Sequence, residues 1–174
     1  VSGLSGLAEG LIPRPEGLAR AMLPTDRVIK VRHRDVFIDG VRLRVAGLDK
    51  CSVMVAPGLA TSFGFIVTDA AVPAELWQDI LHGSVDQSFA RLIIDGDMST
   101  NDLVVGLANG RAGHPQLTAD RAGELREAVS WVCDELAREV AGDGEGAPRR
   151  LLVEVTGSVE ADRVAQKLAG SMLV

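Results

Sequence analysis

Between Val28 and Val45 apolar and charged residues alternate around a central Asp39–Gly40 pair, and this stretch limits the possible fold more than any other. Alternation at period two describes a strand with one buried and one wet face, and Asp-Gly is the strongest short hairpin signal. The pattern predicts antiparallel strands at about 34–38 and 41–46. The basic residues from Arg27 to Arg34 alternate with apolar ones and read as the wet face of a strand.

The remaining segments supply partners for that hairpin. "CSVMVAP" (51–57) and "SFGFIVTDA" (62–70) are apolar enough for strands covered on both sides, and "ARLIIDGD" (90–97) reads as another. Pro73 is a good first helical residue, and Leu76, Trp77, Ile80 and Leu81 recur at helical spacing, so a helix is expected over about 74–90. Ser99 or Thr100 can cap a short helix through "NDLVVGLANG". Thr118 caps the longest helix, to about Ala141, with Leu125, Ala128, Val129, Val132, Leu136 and Val140 on one side. "RRLLVEVTG" (149–157) reads as a strand, and Ser158 begins a last helix packed through Val159, Val164 and Leu168. A short helix is expected from Glu16 to Met22. Hairpin and sheet-covering helices together imply one domain over 1–174, an α/β or α+β layered sandwich.

A composition of 47% hydrophobic and 24% charged residues is that of a chain folding around a core. The net charge of −6 argues against a sequence-independent grip on nucleic acid or an anionic membrane, both of which need clustered Lys and Arg. Aromatic residues at 3%, with no Tyr, also remove the stacking platforms used on single strands. No stretch approaches a membrane span, and Cys51 and Cys133 form neither a zinc spacing nor a disulfide framework, which points to the reducing cytoplasm.

Few residue patterns carry chemistry by themselves. Asp95, Asp97, Ser99 and Asn101 imitate the start of a calcium loop, but Thr100 and Gly106 stand where it needs Gly and Glu. His33, His82 and His114 share no face and read as surface or turn residues, so neither a metal site nor a cofactor site is expected. The glycine-rich turn "DGEG" (143–146) carries two carboxylates and is unsuited to phosphate. Thr61 lies in a small-residue patch with Pro57, Gly58 and Ala60, which can be a simple turn. It can equally present a hydroxyl nucleophile, whose base would be the residue's own α-amine after cleavage of the preceding peptide bond.

Three segments, "KCSVMVAPGLAT" (50–61), "SFARLIIDGDMSTNDLVVGLANG" (88–110) and "DGEGAPRRLLVEVTG" (143–157), resemble in order and spacing the ornithine acetyltransferase family, also called glutamate N-acetyltransferases. The resemblance implies an N-terminal-nucleophile-like fold, incomplete here. It also implies a precursor that cuts itself between Ala60 and Thr61, so that 1–60 is the end of an α chain and 61–174 the first part of a β chain. Thr61 would take an acetyl group from N-acetylornithine as an ester and pass it to glutamate for arginine synthesis. By the same resemblance Lys50, Glu145 and Thr25 would contact substrate, and the α/β pairs would associate further into a homo-oligomer.

The sequence departs from the family pattern in several places. Cys51 and Val53 replace glycines, Leu59 replaces a methionine, and Pro148–Arg149 replaces a Thr–Lys pair. The threonine–glycine oxyanion hole of the family has no counterpart, and both ends look truncated. Two further functions therefore stand beside acetyl transfer: a non-catalytic remnant serving as a binding or assembly unit, and an amidase-like relative with another acyl substrate.

Overall fold

In the computed structural model the described residues are 15–23, 26–57, 62–146 and 148–171. The hairpin forms as expected and extends further: β1 (Lys30–Ile38) and β2 (Val41–Lys50) pair antiparallel from Ile38↔Val41 to Lys30↔Asp49. Asp39 and Gly40 both take positive φ, 52° and 77°, as a two-residue hairpin turn of this hand requires. Strand β3 (Phe63–Thr68) runs antiparallel to β2, with Lys50 opposite Phe63. Strand β4 (Leu103–Ala108) then lies parallel to β3, giving the order β1-β2-β3-β4.

A parallel pair needs a long crossover, and here it contains the helix Ala74–Asp86. With Pro15–Ala21 as α1, that helix is α2, followed by α3 (Gly123–Gly142) and α4 (Ala161–Ala169). α3 lies across β1 and β2, while α2 packs on α3 and β4, so both cover one face of the sheet. The core between these layers holds Val36, Leu43, Val45, Ile66, Ile80 and the α3 stripe, in which Leu125, Ala128, Val129, Val132, Leu136 and Val140 are all buried as expected. The result is the expected α/β layered arrangement. The opposite sheet face leaves Phe37, Phe63, Val67, Leu103 and Leu107 exposed.

Several expectations fail locally. "NDLVVGLANG" is β4 rather than a capped helix, because its Val pair and central Gly106 suit a strand beneath α2. A side chain at Gly106 would come within 2.7 Å of both Leu81 and Trp77 Nε1. "CSVMVAP" is a loop instead of a strand: Met54 turns it with φ 58°, and its amides bond to the Asp95 carboxylate. "ARLIIDGD" opens with a 3-10 turn (Phe89–Arg91) and then crosses that loop, with the Ile94 and Gly96 amides sharing the Val55 carbonyl. "RRLLVEVTG" pairs with no strand among the described residues, and Leu151 and Leu152 are exposed. α2 ends at Asp86 rather than near 90, uninterrupted at Gly83.

Thr118 precedes a 3-10 turn (Ala119–Arg121), and α3 starts at Gly123 with no side-chain cap. Ser158 accepts the Glu160 N–H before α4, but Val159, Val164 and Leu168 stay exposed. His114 is buried, its Nε2 accepting the Ala71 N–H, so it is a core residue holding a turn.

Gly47 on β2 sets the closeness of the helix layer: an added Cβ would lie 2.7 Å from both Leu136 Cδ1 and Val132 Cγ1. Gly47→Ala is therefore expected to destabilise by about 1–3 kcal/mol through overpacking. Gly83→Ala, whose Cβ meets nothing within 4 Å, should stabilise by up to about 1 kcal/mol. Urea midpoints of the two variants check both signs.

Candidate active site at the junction of β2 and β3

β2 ends at Lys50 and β3 begins at Phe63, directly opposite, so whatever follows one strand and precedes the other meets at this end of the sheet. Alternation puts the half-buried Lys50 on the outer face, away from the helices, and its neighbour Asp49 on the inner face. The loop after Lys50 is fixed by two neighbours. Asp95 accepts the Met54 N–H at 2.6 Å and the Val55 N–H at 2.9 Å, and the Glu145 N–H donates to the Ser52 carbonyl at 2.9 Å. Burial opposes the Asp95 charge, but the Met54, Asp97 and Val55 amides outweigh it and hold the carboxyl below its ordinary range. Glu145 itself is exposed, in a turn completed by Gly146 at φ 74°.

A buried ionic cluster lies beneath this loop. Lys30 is fully buried, and its Nζ donates to Asp26 Oδ1 at 2.6 Å and to Asp143 Oδ2 at 2.7 Å. It is not on a wet strand face: its position matches the buried Val36 and Ile38 in the two-residue alternation. Desolvation alone would lower its pKa, but hydrogen bonds to Asp143 and Asp26 prevail and raise it. Asp143 also receives the Arg27 backbone N–H at 3.0 Å. Burial opposes its charge, and the bonds from Lys30 and Arg27 still keep its carboxyl below the ordinary value. Asp26 Oδ1 additionally accepts the Cys51 N–H at 2.9 Å, which joins the cluster to the site loop.

Asp49 is the exception. It lies opposite Lys30 on β1 and Gly64 on β3, is 3% exposed, and neither of its oxygens finds a hydrogen-bond partner among the described residues. Burial pushes its carboxyl up to about 7, against the opposing pull of Lys30 and the Ser62 hydroxyl. Cys51 and Cys133 are likewise pushed up by burial to about 12, which removes both as thiolate nucleophiles at neutral pH.

Residues 2–174 match the ArgJ family model. The chain belongs to the ArgJ family. Relatives named arginine biosynthesis bifunctional protein ArgJ include that of Thermosynechococcus vestitus, 41% identical over 91% of this chain and 39% of its own length. That of Bacillus licheniformis is 38% identical over 99% of this chain and 43% of its own. The chain thus spans about two fifths of the ArgJ proteins it matches. The crystal structure of arginine biosynthesis bifunctional protein ArgJ from Bacillus halodurans superposes with a TM-score of 0.61 at 39% identity, over 63% of this chain and 54% of that one. The α/β arrangement is thus shared with an ArgJ protein.

Of the residues expected to act in an ArgJ-type site, the structure brings Lys50 and the Glu145 turn to the same end of the sheet, through the loop that joins them at Ser52. Thr61, Ala60 and Thr25 lie outside the described residues. Asp26, Lys30, Asp49 and Ser62 were not singled out as site residues by the sequence, and Asp95 and Asp143 stood out only within the calcium-like and DGEG patterns, not as the anchors they are. The parity of Lys30 with Val36 and Ile38 was a signal for its burial; the others had no comparable local mark. Among the described residues no three His, Cys, Asp or Glu side chains converge as a metal site, and no helix is long and apolar enough to cross a membrane.

Two outcomes follow. Asp95→Ala should speed amide exchange at Met54 and Val55 while leaving β1 protected, measured by hydrogen exchange. Asp143, with a lowered pKa, stabilises above its unfolded value of 3.8, and that contribution is lost as pH falls through its folded value. Asp49 has the opposite sign: stability is lost as pH rises from 3.8 to about 7 and stays lost above. Asp49→Asn should therefore exceed wild type at pH ~8 by on the order of a few kcal/mol, with the gain vanishing near pH ~4, in denaturant titrations at both values.

Proposed function

We propose that this chain carries the nucleophile segment of an ArgJ-type acetyltransferase that cuts itself before Thr61. The observation that supports this best is the meeting of Lys50, the Glu145 turn and the start of β3 at one end of the sheet, since Thr61 is one residue before Ser62. In the first step Thr61 Oγ attacks the Ala60 carbonyl and the peptide C–N bond breaks, which frees the Thr61 amine as the hydroxyl proton passes to it; water then hydrolyses the resulting ester, releasing the Ala60 carboxylate and restoring the Thr61 hydroxyl. That amine serves as base while Oγ takes the acetyl group of N-acetylornithine and ornithine leaves with the proton. Glutamate attacks the acetyl ester through its amine, and Oγ recovers its proton as N-acetylglutamate departs.

Lys50 supplies a point charge for an amino-acid carboxylate, and Glu145 an acceptor for a substrate ammonium. Thr25 contacts substrate from the segment before β1. The outer face of the sheet, with Phe63, Val67, Leu103 and Leu107 exposed, favours association with further chain, in line with α/β pairing and a homo-oligomer. The same face is what favours the second reading, a non-catalytic assembly unit.

Intact mass under denaturing conditions separates the two. Wild type is expected as two fragments meeting at Ala60–Thr61, and Thr61→Ala as one. Incubation with N-acetylornithine should add one acetyl group to the fragment that begins with Thr61. A single uncut mass in both proteins, with no acetyl adduct, leaves the assembly reading.

A further inference from the structure

One stretch of backbone has no part in the sheet or in the site. Residues 149–157 follow the DGEG turn and lead to α4, and among the described residues none of them gives or accepts a backbone–backbone hydrogen bond. Leu151 is 62% and Leu152 68% exposed, and only Val153 and Val155 are half-buried. The stretch is held to the body by the Arg150 guanidinium, which donates to the Arg138 carbonyl on α3 at 3.0 Å. A run rich in apolar and β-branched residues, with its N–H and C=O groups unpaired, is a template for another strand. The helix that follows is no better covered, since Val164 and Leu168, four residues apart on one side of α4, are both exposed.

The order of charges along the stretch selects its partner. Arg150, Leu151, Leu152, Val153 and Glu154 carry opposite charges at equal distances on either side of Leu152. Laid antiparallel on itself with Leu152 on a two-fold axis, this segment sets Arg150 opposite Glu154 of the partner subunit at both ends, and Leu151 opposite Val153 between them. We propose that residues 150–154 are a dimerisation strand that pairs antiparallel with the same residues of a second copy of this chain. The contact is independent of the processing reading above, and it uses a surface other than the outer face of the sheet.

Opposite charges directly across an antiparallel pair stabilise it and like charges destabilise it. Parallel pairing in register would set Arg150 beside Arg150 and Glu154 beside Glu154, so the charges favour the antiparallel arrangement. Both groups are available for it. Arg150 commits Nη1 to the Arg138 carbonyl, which leaves Nη2 and Nε for a carboxylate. Glu154 is exposed, and Arg138, which lies within Coulombic reach of it, is already bonded to Asp134 at 2.8 Å. A two-stranded ribbon alone is marginal in water and needs a helix against one face. α4 follows the strand in each copy and offers Val164 and Leu168 for that purpose.

Sedimentation equilibrium of the full chain over a concentration series tests the pairing in wild type, Arg150→Glu, Glu154→Arg, the double variant and an equimolar mixture of the two single variants. Wild type is expected as a dimer, and each single variant should weaken it by about tenfold or more, because like charges then face each other twice. The double variant and the mixture should both recover wild-type affinity, since opposite charges face each other again. A wild type that stays monomeric overturns the proposal. A dimer indifferent to both single changes lies on another surface, such as the outer sheet face, and overturns it too. Affinity lost in the single variants and not recovered on mixing overturns the antiparallel register. Hydrogen exchange reads the backbone directly: amide protection should alternate along 150–154 and grow with concentration, and its absence in a dimer overturns strand pairing. Denaturing mass on the same samples reports cleavage at Ala60–Thr61 separately, so failure of the processing reading is distinguishable from failure of this one.

Discussion

Lys30 is the point on which the candidate site depends. Its ammonium is fully buried at the start of β1 and joins Asp26, ahead of that strand, to Asp143, beyond the end of α3. Taking these charges out of water costs several kcal/mol per ion, recovered only by close geometry and by further hydrogen bonds on the spare lone pairs. The structure provides those bonds: Cys51 N–H to Asp26 and Arg27 N–H to Asp143. The cluster thereby holds the loop after β2 and the DGEG turn against the same strand end. Loss of the ammonium alone would strand two carboxylates in the interior, so the arrangement of Lys50 and Glu145 is subordinate to it.

Asp49 shows the other side of this economy of donors. Lys30 is the only buried cation at this end among the described residues, and two carboxylates already share it. A third carboxylate in the same row is left with desolvation as its dominant influence, which explains its preference for the neutral form. Close packing leaves little room for rearrangement: Gly47 and Gly106 let α3 and α2 approach within distances a methyl group would violate, and Gly64 accommodates the Asp49 carboxyl itself.

The hairpin was legible because alternation and Asp-Gly are local signals that act together, and the helix faces of α2 and α3 because their apolar periods are long. β4 was not, because Ser99 and Thr100 resemble helix caps while the parallel partner that makes 103–108 a strand lies about forty residues earlier, at Phe63–Thr68. The 51–57 segment shows the converse. Its apolar residues suit a buried strand, but Asp95 supplies acceptors for its amides, and a buried loop satisfied by a carboxylate has the same composition as a strand satisfied by a neighbour. For the candidate site, the motif residues Lys50 and Glu145 were legible in sequence, whereas the groups that hold them in place were not.

The sequence by itself determined the hairpin, the buried stripes of the helices and the motif pattern of the ArgJ family, all of which are written within short windows of chain. Only the tertiary structure decided which charges are buried and which of them find partners. Lys30 and Asp143 are 113 residues apart, and Asp49 is orphaned because other carboxylates reach that lysine first. Pairing and desolvation depend on what lies within a few ångströms in space, and no local pattern specifies that.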